Sequence, residues 1–360
     1  MLCRRLPLFF SSLCLVAVLT AREAIFLLRN KNVISKKDES SIQVFPSTVV
    51  PLYTHHPSTV HDELVYDGAD EGKNVPLYSN HPPTVHGELM KRFSNRRETL
   101  RAKCAAFQGA LPNRLRRWLP QAMYYSQKYN ILGCLIAKAG VTTWKVHLNR
   151  MLGHGGDTES TDNIKAINMM SFSKLTRLMA DGGVTRVINV RNPIDRLVSA
   201  YKDKFFNGQP RIPGEKHRNF FQNAFKLLGK PWHRGTVTSI TFREFLQYVI
   251  EESKHGLDGM NCHWRPIYTV CQPCTTKYKY IVKLETIEED LTFLRDEMAI
   301  SEMNVALKRN VKKESRTSDD YFKDLPVDLL VGIRRLYEYD FTLFGYVIPG
   351  YLENVGKRGT

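Results

Sequence analysis

Two short segments carry residue types suited to gripping anions. In the first, Cys134-Leu-Ile-Ala-Lys-Ala-Gly-Val-Thr-Thr-Trp-Lys145, Lys138 and the hydroxyls of Thr142 and Thr143 fall between an apolar run and a helical pattern. A strand-to-helix turn points backbone N–H groups at the helix N-terminus, where they and the helix dipole favour a phosphate-like group; an ammonium and two hydroxyls would complete a cradle. The spacing is not that of GxxxxGK[ST], because Lys138 opens the loop and Thr142 follows four positions later, which disfavours a Mg-dependent nucleotide hydrolase. In the second segment Arg191 closes an apolar run and Ser199 lies two turns into the following helical pattern. An arginine there can hold a phosphate bidentately while the serine adds a hydroxyl donor.

These residues need elements to position them. Ile131–Ala137 reads as a buried strand, 138–143 as a loop, and Trp144–Leu152 as a helix. Val184–Arg191 reads as a second strand, with Asn192 as N-cap and Pro193 in the first helical position. Ile194, Leu197, Val198, Tyr201 and Phe205 then form an apolar stripe, which leaves Arg196, Lys202 and Lys204 to be read as solvated helix faces. Thr241–Ile250 predicts a helix beside a cleft, Tyr280–Glu285 a strand, and Thr286–Glu289 a capping box. Alternating strands and helices predict an α/β fold with a central, mainly parallel sheet, whose strand carboxyl ends are where ligands bind.

With 42% hydrophobic and 24% charged residues in 360, the chain has material for a core of one large domain or two smaller ones. A wholly disordered, collagenous or multi-span membrane protein is excluded. The formal charge of +16 points to anionic partners. Five of the seven cysteines follow residue 100, compatible with a few bridges in an oxidising compartment; their pairing is open, and Cys271 and Cys274 could bridge each other or reach further. Arg4 and Arg5 precede an apolar run, Leu6–Ala21, so residues 1–29 read as a signal-anchor, with a cleaved signal peptide as the alternative. Residues 30–100 read as a stalk, in which Val50–Leu64 recurs as Val75–Leu89 with eleven of fifteen positions identical. Its His55, His56, His61, His81 and His86 raise a metal-binding reading, against which an extended Pro-rich spacer is favoured. The basic stretch Lys91–Lys103 reads as a solvated helix face leading into a folded domain over 101–350.

Cys134–Lys145 and Arg191-Asn-Pro-Ile-Asp-Arg-Leu-Val-Ser-Ala-Tyr-Lys-Asp-Lys-Phe205 resemble the 5′-phosphosulfate and 3′-phosphate motifs of the Golgi carbohydrate sulfotransferases, in the branch of the chondroitin, dermatan and N-acetylgalactosamine 4-O-sulfotransferases. Asn261–Pro266, Cys271–Cys274, Tyr280–Glu285 and Leu336–Tyr346 resemble later segments of that branch, in order. The resemblance implies a P-loop-like sulfotransferase fold and sulfuryl transfer from 3′-phosphoadenosine 5′-phosphosulfate, without a metal, to a glycan hydroxyl. The acceptor would be an acidic or N-acetylgalactosamine-containing glycan. It assigns donor binding to Lys138, Ala139, Gly140, Val141, Thr142, Thr143, Trp144, Arg191 and Ser199. Lys138 would stabilise the leaving phosphate oxygen. His263 is nominated as base, with a structural role beside Trp264 as the competing reading, and Glu285 as a base, a partner of Lys283 or a strand-end salt bridge. A Golgi membrane protein of type II with a lumenal catalytic domain is implied, secreted if the first segment is cleaved.

The chain departs from the branch at Ala137, at Val141-Thr142-Thr143 and at Asn192, and has no Asn-x-Ser/Thr sequon. The altered loop keeps open a glycan-binding protein that has lost catalysis. A nucleic-acid partner would explain the charge, but the first segment points elsewhere and no nucleic-acid-binding motif is present.

Overall fold

A computed structural model of the chain describes residues 83–151, 170–305 and 316–356. The segment expected as an anchor, the stalk up to residue 82 and four of the five repeat histidines lie outside them. No helix among the described residues is long and apolar enough to cross a membrane.

In chain order the elements are α1 (Pro83–Ala106), β1 (Met123–Ser126), β2 (Ile131–Cys134), α2 (Val141–Met151), α3 (Phe172–Ala180), β3 (Thr185–Val190), α4 (Pro193–Lys204), α5 (Glu215–Leu227), α6 (Phe242–Lys254), α7 (Ile267–Cys271), α8 (Pro273–Thr276), β4 (Tyr280–Lys283), α9 (Ile287–Glu297), α10 (Val327–Leu343) and α11 (Gly350–Gly356). The sheet runs β1-β2-β3-β4. The hairpin β1–β2 is antiparallel, while β2–β3 and β3–β4 are parallel, with Gly133 opposite Val187 and Ile188 opposite Ile281. The mainly parallel α/β sheet expected from the alternation of elements is therefore present.

Apolar residues on both faces of each strand bury the sheet twice, as parallel strands require. Val187, Tyr280 and Val282 point into one core with Phe93, Trp144 and Phe293, whereas Leu132, Ile188 and Ile281 point into the other with Leu119, Ile267 and Leu343. Gly133 has no substitute here: the Tyr124 ring lies on it, and a Cβ would stand 2.1 Å from that ring. A third core, rich in aromatics, seats the end of α4. Phe205 is fully buried against Phe221 at 5.2 Å and Phe245 at 5.3 Å.

Several expectations need correction. The stretch 83–100, read as stalk and solvated basic helix, packs as α1, with Leu89, Phe93 and Leu100 at most 3% exposed. Arg96 donates to the Ile281 carbonyl at 2.8 Å and to the buried Asp290 carboxylate at 2.6 Å. The folded part thus begins no later than Pro83, and His86 sits against Phe293 at 5.1 Å. The strand read over 131–137 stops at Cys134, and the helix read from Trp144 starts at Val141. Thr286 forms no capping box, because its hydroxyl donates to Asp290 and accepts from Arg96; the box forms at Thr241 and Glu244 instead. Cys271 and Cys274 do not bridge each other: they pair with Cys134 and Cys104. The Cys134–Cys271 bridge ties the end of β2 to α7.

Candidate active site

The loop after β2 owes its shape to two left-handed residues, Lys138 at φ 67° and Gly140 at φ 82°, which turn the chain back into α2. A Cβ on Gly140 would also stand 3.1 Å from Leu284 and Ile287. At the end of β3, Arg191 donates to the Lys138 carbonyl at 3.2 Å. Asn192 caps α4 by accepting from the Ile194 N–H at 2.9 Å, and its own N–H donates to Glu285 at 2.7 Å. Glu285 also accepts from the Tyr346 hydroxyl at 3.0 Å. Through these two bonds Glu285 fastens the end of β4 to the start of α4 and to Tyr346.

The carboxyl ends of β2 and β3 open on a cleft of about 740 Å³, lined by Lys138, Thr142, Arg191 and Ser199, together with Lys202, Asp195, Asp203 and Arg316. Four anion-binding candidates thus share one wall system. The others do not. Ala139 is 1% exposed and its N–H is taken by Ile136, and Thr143 and Trp144 are buried, Trp144 against the Tyr124 ring at 5.9 Å. These belong to the core because α2 begins three residues earlier than its sequence pattern announced. Val141 lines a neighbouring cleft.

Burial lowers the Lys138 ammonium pKa, and the Asp203 carboxylate, 2.6 Å away, opposes that fall. Asp203 also pairs with Lys204 at 2.9 Å. Burial by itself would raise its carboxyl, but the two lysines together hold it down at about 2. Burial lowers Arg191 as well, with Asp195 and Glu285 pulling the other way.

The second cleft, about 380 Å³, is lined by Trp118, Phe220, His263, Arg265, Lys145, Lys204 and Lys216, and no carboxylate among the described residues lines it. Arg265 stacks on Trp118 at 5.0 Å, Lys204 on Phe220 at 5.1 Å, and His263 meets Phe220 edge-on at 5.5 Å. The Asn261 side-chain oxygen accepts from the His263 backbone N–H at 3.1 Å and stands 2.8 Å from its Nδ1. That oxygen is an acceptor, so Nδ1 carries the proton and Nε2 keeps its lone pair. Burial first, then Lys204 and Lys138, lower the His263 pKa to about 2, so the ring is neutral at any working pH. His263 thus combines both readings offered by the sequence: it is packed beside the fully buried Trp264, and it faces a cleft.

The reading of Arg196, Lys202 and Lys204 as solvated does not hold. Lys202 lines the first cleft and Lys204 the second. Arg196 is 1% exposed and donates to the carbonyls of Ala137 at 3.0 Å, Cys262 at 3.0 Å and Arg265 at 2.8 Å. It joins the loop before Lys138 to the loop that carries His263. The signal was present but points away from the apolar stripe. Arg196, Ser199 and Asp203, at i, i+3 and i+7, form one polar stripe on the opposite face of α4. Among the described residues, no group of three His, Cys, Asp or Glu side chains could hold a metal ion.

Comparison with known proteins gives this arrangement a context. A model of the sulfotransferase family matches residues 121–347, which contain the first cleft and all of the second but Trp118. The chain is 24% identical over 250 residues to carbohydrate sulfotransferase 11 of Rattus norvegicus, covering 63% of this chain and 67% of the relative. It is 26% identical over 294 residues to carbohydrate sulfotransferase 12 of Mus musculus, covering 71% and 68%. With carbohydrate sulfotransferase 14 of Mus musculus the identity is 26% over 359 residues, covering 95% and 88%. No solved structure matches the chain.

Proposed function

The chain belongs to the sulfotransferase family and is a carbohydrate O-sulfotransferase, and on that premise we propose that it moves a sulfuryl group from 3′-phosphoadenosine 5′-phosphosulfate to a hydroxyl of an acidic or N-acetylgalactosamine-containing glycan, in the Golgi lumen. The single observation that carries the donor assignment is the meeting of Lys138, Thr142, Arg191 and Ser199 on one cleft at the carboxyl ends of parallel strands. Arg191 and Ser199 suit a 3′-phosphate, and the start of α2 with Thr142 and Lys138 suits the phosphosulfate. The acidic acceptor is supported by the second cleft, whose lining carries Lys145, Lys204, Lys216 and Arg265 beside aromatic faces.

In the reaction the acceptor oxygen bonds to sulfur as the bond from sulfur to the bridging phosphate oxygen breaks, leaving adenosine 3′,5′-bisphosphate. Negative charge grows on that bridging oxygen, so an ammonium placed there stabilises the transition state more than the ground state. Lys138 is assigned that part. The acceptor proton passes to His263 Nε2, which its neighbour Asn261 leaves as the acceptor. Burial depresses His263 first and Lys204 and Lys138 after it; a bound nucleotide offsets the lysine part and so raises its basicity.

The test is transfer of labelled sulfate by the full chain to desulfated chondroitin, desulfated dermatan and N-acetylgalactosamine-terminated glycans, beside Lys138→Ala. Transfer that falls about 100- to 1,000-fold in the variant supports the assignment. Nucleotide binding by calorimetry separates the alternatives: a protein that binds the glycans but not the nucleotide is a binding protein without catalysis.

A further inference from the structure

Three cations, Lys138, Lys204 and Arg191, gather where the donor's phosphates are proposed to bind, and unpaired they would repel one another. Asp195 and Glu285 act on Arg191, and Asp203 stands between the two lysines. A single carboxylate oxygen of Asp203 accepts from Lys138 at 2.6 Å and from Lys204 at 2.9 Å. The first lysine lines the donor cleft and the second lines the neighbouring one, so Asp203 sits where the two meet. The lysine side chains are 19% and 17% exposed, and the carboxylate 41%. The two ammonium groups are thus partly buried, while the carboxylate between them stays open to solvent. Its backbone support is firm: α4 ends on the fully buried Phe205, and Arg191 holds the Lys138 carbonyl at 3.2 Å.

We infer that Asp203 is the positioning residue for Lys138: it serves as the internal counter-ion that keeps the ammonium charged and aimed into the donor cleft until the donor's own negative charge replaces it. This rests on the proposed sulfuryl transfer. The groups facing Lys138 are Asp203 and Lys204 from α4, Arg191 from the end of β3 and His263 from the loop after α6, with Asp195, Lys202 and Arg316 on the same cleft. Burial, Lys204 and Arg191 all favour the neutral amine, and Asp203 opposes them. A counter-ion of this kind leaves two signatures that a merely structural residue would not. Removing it lowers the pH at which Lys138 loses its proton, and it lowers kcat without raising the KM of the donor, whose phosphates no longer face a carboxylate.

The first signature is read without any sulfotransferase activity. Lys138 in the full chain is titrated by its rate of acetylation with acetic anhydride across pH, followed by peptide mass spectrometry, in wild type, Asp203→Asn and Asp203→Glu. Thermal melting reports that each is folded, and Asp203→Ser replaces the asparagine variant if that one does not fold. The Lys138 midpoint is expected to fall by about 1 to 3 pH units in Asp203→Asn and to return toward wild type in Asp203→Glu. The high-pH limb of kcat is expected to move with it. A Lys138 midpoint that is the same in wild type and in the folded neutral variant overturns the inference. A wild-type chain that transfers no sulfate but shows the midpoint shift would overturn the functional reading and leave the ion-pair role standing.

Discussion

The two clefts that meet at α4 are built in opposite ways. The donor cleft takes most of its walls from short contiguous segments after two parallel strands, Lys138–Thr142 and Arg191–Asp203, closed by Arg316, Thr317 and Ser318, and is lined mainly by charges and hydroxyls. The second cleft is assembled from Trp118, Lys145, Lys216 with Phe220, and His263, four places far apart in sequence, and is lined by aromatic faces and cations. A site that must hold the same phosphates in every turnover can be encoded by two local turns. The second cleft, proposed to take the glycan, draws instead on helices α2, α4 and α5 and on the loops that carry Trp118 and His263. Helix α4 divides them and Arg196 fastens them together, so each cleft can be disturbed alone or both at once.

The sharpest way to separate them is at His263. Replacement by alanine is expected to cost about 100- to 10,000-fold in kcat while nucleotide binding stays at wild type, as transfer assays and calorimetry would show. Loss of nucleotide binding in that variant would merge the two clefts into one. Next in size, Arg196→Met strips three carbonyls of a buried donor and is expected to destabilise the fold by about 3 kcal/mol, weakening nucleotide binding and transfer together; thermal melting checks it. Arg191→Ala acts on the donor side alone, raising the Kd of adenosine 3′,5′-bisphosphate by roughly 10- to 150-fold, the equivalent of about 1.5–3 kcal/mol, with acceptor KM unchanged. Smallest is Lys216→Ala, an exposed cation at the second cleft, expected to raise acceptor KM by less than about fivefold and only at low salt.

The pH dependence carries a sign of its own. The unfolded chain protonates His263 below about 6.5, whereas burial and two lysines keep the folded ring neutral down to about 2. His147, buried with both ring nitrogens unpartnered, is lowered to about 4 by burial and then by Arg150. The unfolded state therefore binds more protons below pH 6.5. Stability is full above that value and falls as the pH drops through it, by up to about 1.4 kcal/mol per pH unit for each ring. His263→Gln is expected to flatten that decline in melting experiments, and an unchanged slope would mean that the ring is protonated in the folded state.

The same contrast explains what could be read beforehand. The sheet, the Asn192 cap with Pro193, and the convergence of Lys138, Arg191 and Ser199 were legible because each rests on a local pattern: a strand's apolar run, a cap's side chain, a turn beside a helix start. The membership of Trp144 in the core was not, because the first turn of α2 consists of residues that also suit a loop. Arg196 and Asp203 were hidden by the apolar stripe on the far face of α4, which made every polar position beside it look solvated. Helix α1 was hidden by its charge: only Leu89, Phe93 and Leu100 mark the buried side, and Arg96 is buried through Asp290, a partner almost two hundred residues away in sequence. No local pattern reports such a partner. The second cleft was illegible for that same reason.

The division of labour between the clefts is tested most directly by calorimetric titration of adenosine 3′,5′-bisphosphate into the full-length wild type, Arg191→Ala and His263→Ala. The account predicts tight binding to wild type and His263→Ala, and binding weakened at least tenfold in Arg191→Ala. Equal affinities in all three, or no binding to wild type, would contradict it.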